Sequence, residues 1–186
     1  DPRRGFARPD RPYRFDPPLL RPVEPAPHLG EHDSALLENA VVEIAPTPAD
    51  AVEDGPDTRP TFEGLRVLDL TAFWAGPLCT HVLAMLGAEV IHIESTARPD
   101  GTRLLAGLRF SEPGWWEKSG IFTGLNTNKQ SVTLDLSGEP GRELLARLIA
   151  TCDVIVENYT PRVIEHLGFD ADAIRAIRPD IVMVRM

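Results

Sequence analysis

The stretch GLRVLDLTAFWAGPLCTHVLAMLGAEVIHIE, Gly64 to Glu94, decides the fold. Within it RVLDLT is a short β-rich run, bounded by Gly64 and by the turn residues Ala75 to Pro77. LCTHVLAMLG then places apolar residues at helical spacing, with Pro77 suited to a first helical turn and Gly87 to a C-terminal stop. AEVIHIE is a second strand. Working outward, Ser95 to Gly120 reads as irregular and SVTLDL as a third strand. GEPGRELLARLIATC reads as a helix with Pro140 near its start, and DVIVENY as a fourth strand. TPRVIEHLG and DADAIRAIRP supply helical turns before a fifth strand, DIVMVRM. Strands alternating with helices predict an α/β fold, a Rossmann-like parallel sheet with flanking helices. Ligands of such sheets lie at the carboxyl ends of the strands. Here those ends are the loop after VLDLT, the HIES end and the VENYTP turn. Neither GxGxxG nor GxxxxGK[ST] occurs, so a dinucleotide site and a P-loop both lack their fingerprint.

Upstream the composition changes. Residues 1–60 hold 12 of the 18 prolines, a density that removes backbone donors and fixes φ. The folded core is therefore expected to begin near Phe62. Arg3, Arg4, Arg8, Arg11, Arg14 and Arg21 crowd the start, whereas residues 31–63 carry nine acids against one Arg. A net charge of −9 argues against nucleic-acid binding and for solvated coil. Cys79 and Cys152 are too far apart for a CxxC metal or redox site and sit among apolar residues, which points to a reduced, cytoplasmic setting. His81 and His92 have no spaced ligand partners, so no metal site is expected. No apolar run reaches the roughly 18–20 residues that span a bilayer, and no signal peptide is visible.

Taken in order, L-D-x-T…AGP, LGA-x-V-I-x-I-E, T-R, L-N-x-N-K-x-S-V-T-L-D-L, D-V-x-V-E-N and LGF resemble the N-terminal half of the class III coenzyme A transferases. This is the CaiB/BaiF family, which includes formyl-CoA and carnitine-CoA transferases and α-methylacyl-CoA racemase. The resemblance covers Phe62 to Met186. It implies that coenzyme A or acyl-CoA is bound as a substrate, with no permanently held cofactor, and that carboxylic acids are the other partners. It places Trp74 and Ala75 against the nucleotide or pantetheine, although Trp74 is equally readable as a packed loop aromatic. Thr133 to Ser137, with Leu134, Asp135, Leu136 and Ser137, resembles the strand end that offers groups to adenosine. In Glu157 to Thr160 the resemblance gives Asn158 amide hydrogen bonds, Tyr159 a ring contact and Thr160 a place beside them. A second reading makes Asn158 the cap of a helix beginning at Thr160. Arg103, Lys129, Arg162 and His166 are the basic candidates for the phosphates, against the general expectation that a charged side chain is simply exposed. The chain departs from the family's pattern at Ser95, Arg162 and His166, where relatives more often carry Arg or Lys, Gly, and Arg.

The family's nucleophile is an Asp whose carboxylate attacks the acyl-CoA thioester, giving a mixed anhydride and then an enzyme-bound CoA thioester. The resemblance places that Asp, and the racemase branch's His/Asp pair, downstream of Met186. No catalytic residue is therefore expected in this chain, and Asp69 and Asp135 read as structural residues within strand patterns. By itself the chain is expected to be inert, and an exposed sheet edge to favour association.

PYRFDPPLLRPVEPAPHLGEHDSALL, Pro12 to Leu37, resembles the family's C-terminal ending. The expected organisation is thus a tail of one copy (1–37), an acidic linker (38–61) and an incomplete CoA-binding domain of a second copy (62–186). That makes the chain a central piece of a tandem protein, working as a homo-oligomer or as a pseudo-dimer with another copy. The competing readings are an acyl-CoA racemase branch and a non-catalytic scaffold copy.

Overall fold

The computed structural model describes residue 31 and residues 60–186 apart from residue 108. Nearly all of the tail and linker expected at 1–61 therefore lies outside the described residues. The elements in chain order are β1 (Arg66–Leu70), α1 (Ala75–Met85), β2 (Glu89–Glu94), two 3-10 turns (Gly101–Gly107 and Trp115–Glu117) and α2 (Gly120–Leu125). They continue as β3 (Lys129–Thr133), α3 (Glu139–Ile149), β4 (Val154–Glu157), α4 (Val163–His166), α5 (Ala171–Ile177) and β5 (Val182–Arg185). The strands form one sheet in the order β3-β2-β1-β4-β5, every neighbouring pair parallel. Strand order reverses between β1 and β4, which creates a crevice at their carboxyl ends.

Both sheet faces are covered, and the period of two explains the near-continuous apolar strands. Leu68, Leu70, Ile91, Ile93 and Ile155 point to one face, where Leu145 and Ile149 of α3, Ile164 of α4 and Ile174 of α5 close a buried core. Val67, Val90 and Val156 point to the other, beneath Ala84 and Ala88, with Phe62 packed at its margin. Phe62 is the first of the described residues packed against this core. On that second face β1 also carries Asp69, fully buried.

Two boundaries differ from the sequence reading. The third strand runs Lys129–Thr133 rather than through SVTLDL, because its pairing partner β2 ends at Glu94. After one further bond, Leu134 N–H to Glu94 O, the chain has no neighbour to pair with and turns at Asp135. The segment read as irregular holds the two 3-10 turns, and α2 starts at its last residue, Gly120, in a stretch to which the sequence reading gave no element; its GIFTGL sequence has weak helix propensity. Tertiary contacts supply what propensity lacks. Ser119 Oγ accepts from Phe122 N–H and donates to the Thr102 carbonyl, and Phe122 is buried. No helix among the described residues is long and apolar enough to cross a membrane.

Candidate functional site

Asp69 sits on the face covered by α1, one residue from the carboxyl end of β1. One oxygen accepts from the Thr71 N–H at 3.0 Å and from the Thr71 hydroxyl. The other accepts from the Thr80 hydroxyl of α1 at 2.7 Å and from Lys129 Nζ at 2.9 Å. Lys129 Nζ also donates to Pro77 O at 3.0 Å and to Asn126 Oδ1 at 2.8 Å, so its three protons are all used. His92 lies between two carboxylates, Nδ1 at 3.3 Å from Asp69 Oδ2 and Nε2 at 3.8 Å from Glu94 Oε2. Neither ring nitrogen makes an aligned hydrogen bond, so these are charge contacts first. Glu94 in turn accepts from Arg103 Nε at 2.8 Å. The Arg103 guanidinium lies 3.5 Å from the centre of the Phe122 ring and donates to the Trp116 carbonyl. The result is a row of basic and acidic side chains in alternation, Lys129, Asp69, His92, Glu94 and Arg103, that runs from the start of β3 across β1 and β2 to the turn after β2.

Burial opposes the charged forms of Asp69, His92, Glu94 and Lys129, and their neighbours work against it. It pushes the Asp69 carboxyl up, yet His92, Lys129 and Thr71 hold that carboxyl well below the usual carboxylate range. Glu94 is lowered in the same way, with His92, Arg103 and the Asp100 N–H overcoming burial. His92 is pulled down by burial and by Lys129 but raised further by Asp69 and Glu94. For Lys129 burial wins and the ammonium titrates lower than usual.

The signs fix a pH dependence of stability. A raised His92 contributes fully below its ordinary value of about 6.5, and that contribution is lost as pH rises through the folded value. Lowered Asp69 and Glu94 contribute above ordinary values of about 3.8 and 4.5, and lose their effect in stronger acid. Thermal melting should therefore peak between about pH 5 and 6.5 and decline as pH rises through the folded value of His92, while the lowered Lys129 acts in the opposite direction at higher pH. His92→Gln should flatten the alkaline limb; an unchanged limb in that variant would refute the assignment.

Above the charged row, the loop after β1 is held one residue at a time. The Thr71 N–H is bound by Asp69. The Asn158 side chain, from the end of β4, accepts from Ala72 N–H at 2.9 Å and donates to Ala72 O at 2.8 Å. The Phe73 N–H donates to Asp100 Oδ2 at 3.1 Å. Phe73 has φ 70°, a left-handed conformation that costs a bulky residue about 1–2 kcal/mol. Three consecutive amides are thus captured by side chains from three parts of the fold. The next residues, Trp74 and Ala75, open α1 at the crevice, both exposed, with no side chain capping the helix.

The remaining residues expected at the site divide into three groups. Asn158, Tyr159 and Thr160 follow the end of β4, next to the β1 loop that Asn158 holds. Asn158 neither caps a helix nor faces away; it fastens the loop, and the residue preceding α4 is Arg162. Tyr159 is half-buried against the core, and burial together with Glu157 and Asp69 raises its phenol; Thr160 is exposed. Leu134, Asp135, Leu136 and Ser137 follow the edge strand β3, about 14 Å from β4 at ordinary strand spacing. Leu134 is buried and Leu136 packs on the core, while exposed Asp135 accepts from the Ser137 N–H and hydroxyl in a local turn. The basic residues also split: Arg103 and Lys129 are spent in buried ion pairs, whereas Arg162 and His166 are exposed.

Sequence reasoning passed over Arg98. It is exposed in the turn after β2, where its N–H donates to Ser95 O at 3.1 Å, and its charge acts on the Tyr159 phenol. The signal was the Ser95 position itself, since a tight turn returns a cation to the same strand end three residues later. Cys152 is buried and its thiol is pushed up to about 11, as suits an unreactive core residue.

Comparison with known proteins agrees with this architecture. A profile of CoA-transferase family III matches residues 62–186. An acyl-CoA transferase of Fusarium pseudograminearum is 36% identical over 138 residues, 71% of this chain and 30% of that protein. A formyl-CoA:oxalate CoA-transferase of Bradyrhizobium sp. is 43% identical over 122 residues, 66% of this chain and 28% of that protein. The solved structure of a CaiB/BaiF family protein from Brucella suis superposes with a TM-score of 0.59 at 34% identity, covering 66% of this chain and 32% of that one. The Mycobacterium tuberculosis protein Rv3272 gives 0.58 at 35% identity, covering 68% and 32%. The chain spans about a third of the length of the relatives it matches. With a matched profile over its whole sheet and the same parallel α/β architecture, the chain belongs to CoA-transferase family III.

Proposed function

We propose that residues 62–186 bind the coenzyme A part of an acyl-CoA across the carboxyl ends of β3, β2, β1 and β4. In this reading they serve an enzyme that moves coenzyme A between carboxylic acids, through an acyl intermediate on an Asp that this chain does not supply. A second copy of the fold would complete the assembly.

The observation that carries this reading is the pinned loop 71–74 at the point where strand order reverses. It presents Trp74 and the uncapped start of α1 to solvent, while Arg98 and Tyr159, which act on one another, follow the ends of the neighbouring strands β2 and β4. An extended ligand suits a site whose parts are strung over four strand ends, and the acyl-CoA and formyl-CoA transferases among the relatives act on such ligands. Neither buried Asp69 nor Asp135, tied to Ser137, is offered to an acyl carbonyl. The second reading, a scaffold copy without activity, draws on the enclosure of Arg103 and Lys129, which removes two cations from phosphate binding.

Calorimetry on the 186-residue chain tests the first reading. Coenzyme A should bind saturably and NAD should not. Trp74→Ala should weaken coenzyme A about tenfold, the scale of one lost aromatic stacking contact on a base. A folded chain that ignores coenzyme A would favour the scaffold reading, and one that binds NAD instead would end both.

A further inference from the structure

We infer that Asp100 is a positioning residue that sets the conformation of the β1–α1 loop for its ligand; this rests on the coenzyme A reading above. Of the three loop amides captured by side chains, only Phe73 carries a strained backbone, and only Asp100 acts on it. Asp100 is buried and held on every side. Its N–H donates to Glu94 Oε2 at 3.2 Å, and its Oδ1 accepts from Thr102 N–H at 2.7 Å and Thr102 Oγ1 at 2.8 Å. That leaves Oδ2 aimed at Phe73 N–H at 3.1 Å.

The Phe73 ring then covers Gly101. A Cβ at 101 would come within 2.7 Å of ring atoms Cε1 and Cζ, so the ring keeps this position only over a glycine. A non-glycine residue stays left-handed only when its surroundings over-determine it. Asp100 and Gly101 together do this, one by hydrogen bond and one by making room. The consequence falls on the next residue. The reversal at Phe73 sends the chain into α1 at Trp74, leaving the indole 55% exposed at the crevice. Without Asp100, Phe73 relaxes to negative φ and Trp74 loses that fixed presentation. Asp100 touches no ligand in this scheme and acts through the loop alone.

The test uses the full chain with Trp115→Phe and Trp116→Phe, which leaves Trp74 as the one remaining tryptophan of three. Asp100→Ala should change the acrylamide quenching constant of Trp74 by about twofold and weaken coenzyme A about tenfold, the scale of releasing one left-handed residue. Adding Phe73→Asn should return the quenching constant toward its starting value, because Asn tolerates a left-handed backbone. A purely structural role would not give that rescue. Unchanged quenching in folded Asp100→Ala overturns the inference; should that variant fail to fold, unchanged quenching in Phe73→Pro, which offers no N–H and cannot hold a positive φ, does so. If the parent chain does not bind coenzyme A, the binding reading falls, and the quenching arm still decides the role of Asp100.

Discussion

Asp69→Ala should destabilise the fold by about 3–5 kcal/mol, the usual cost of removing one partner from a buried ion pair. Lys129 Nζ would keep only Pro77 O and Asn126 Oδ1, two neutral acceptors, for a charge whose side chain is 1% exposed. His92 would lose the nearer of its two carboxylates, and the hydroxyls of Thr71 and Thr80 would lose an acceptor. Desolvation rather than Coulomb attraction sets the size, so the loss should not be recovered by low salt. Urea unfolding checks this, with a lower midpoint at an unchanged slope. Removing both charges is the informative partner experiment. Asp69→Leu with Lys129→Met should recover much of the loss, because a packed apolar pair avoids the uncompensated charge. A double variant no more stable than Asp69→Ala would show that the loss comes from the threonine hydroxyls and His92 and not from the pair.

Gly141→Ala should cost about 2–3 kcal/mol, an overpacking penalty from a single methyl. An added Cβ would overlap the Asp135 carbonyl oxygen and lie 2.6 Å from its carbon. That carbonyl has little freedom to retreat. Asp135 is tied to Ser137, and Arg142 Nη1 donates to Leu136 O at 3.1 Å and Ser137 O at 2.8 Å. The first turn of α3 would therefore lift from the sheet and loosen Leu145 and Ile149, both fully buried. Helix propensity works the opposite way, since Ala exceeds Gly by up to about 1 kcal/mol in a helix interior. A melting temperature equal to or above that of the parent chain would show that propensity wins and that the turn yields.

The site was legible in the sequence only as far as its strand ends. The loop after β1, the end of β2 and the turn after β4 were read as the strand ends where a ligand would lie, and the sheet sets β1 between β2 and β4, so those three ends adjoin. What the side chains do there was not legible. Asn158 could be a ligand contact or a cap on local grounds, and its actual partner, Ala72, lies 86 residues away. Lys129 and Arg103 read as free cations because a sequence shows charges singly, while their counter-ions come from other strands.

The sequence alone determined that this chain builds a parallel sheet covered on both faces, and which family it belongs to. Alternation and helical spacing are local, since side-chain direction repeats every two or 3.6 residues whatever the rest of the chain does. Only the tertiary structure decided where β3 stops, why GIFTGL is helical, and which charges are spent in the row from Lys129 to Arg103. Those outcomes depend on contacts such as Lys129 with Asp69, 60 residues apart, that no local pattern encodes. A buried charge is stabilised by whatever the fold brings within a few ångströms, and the fold chooses that neighbour.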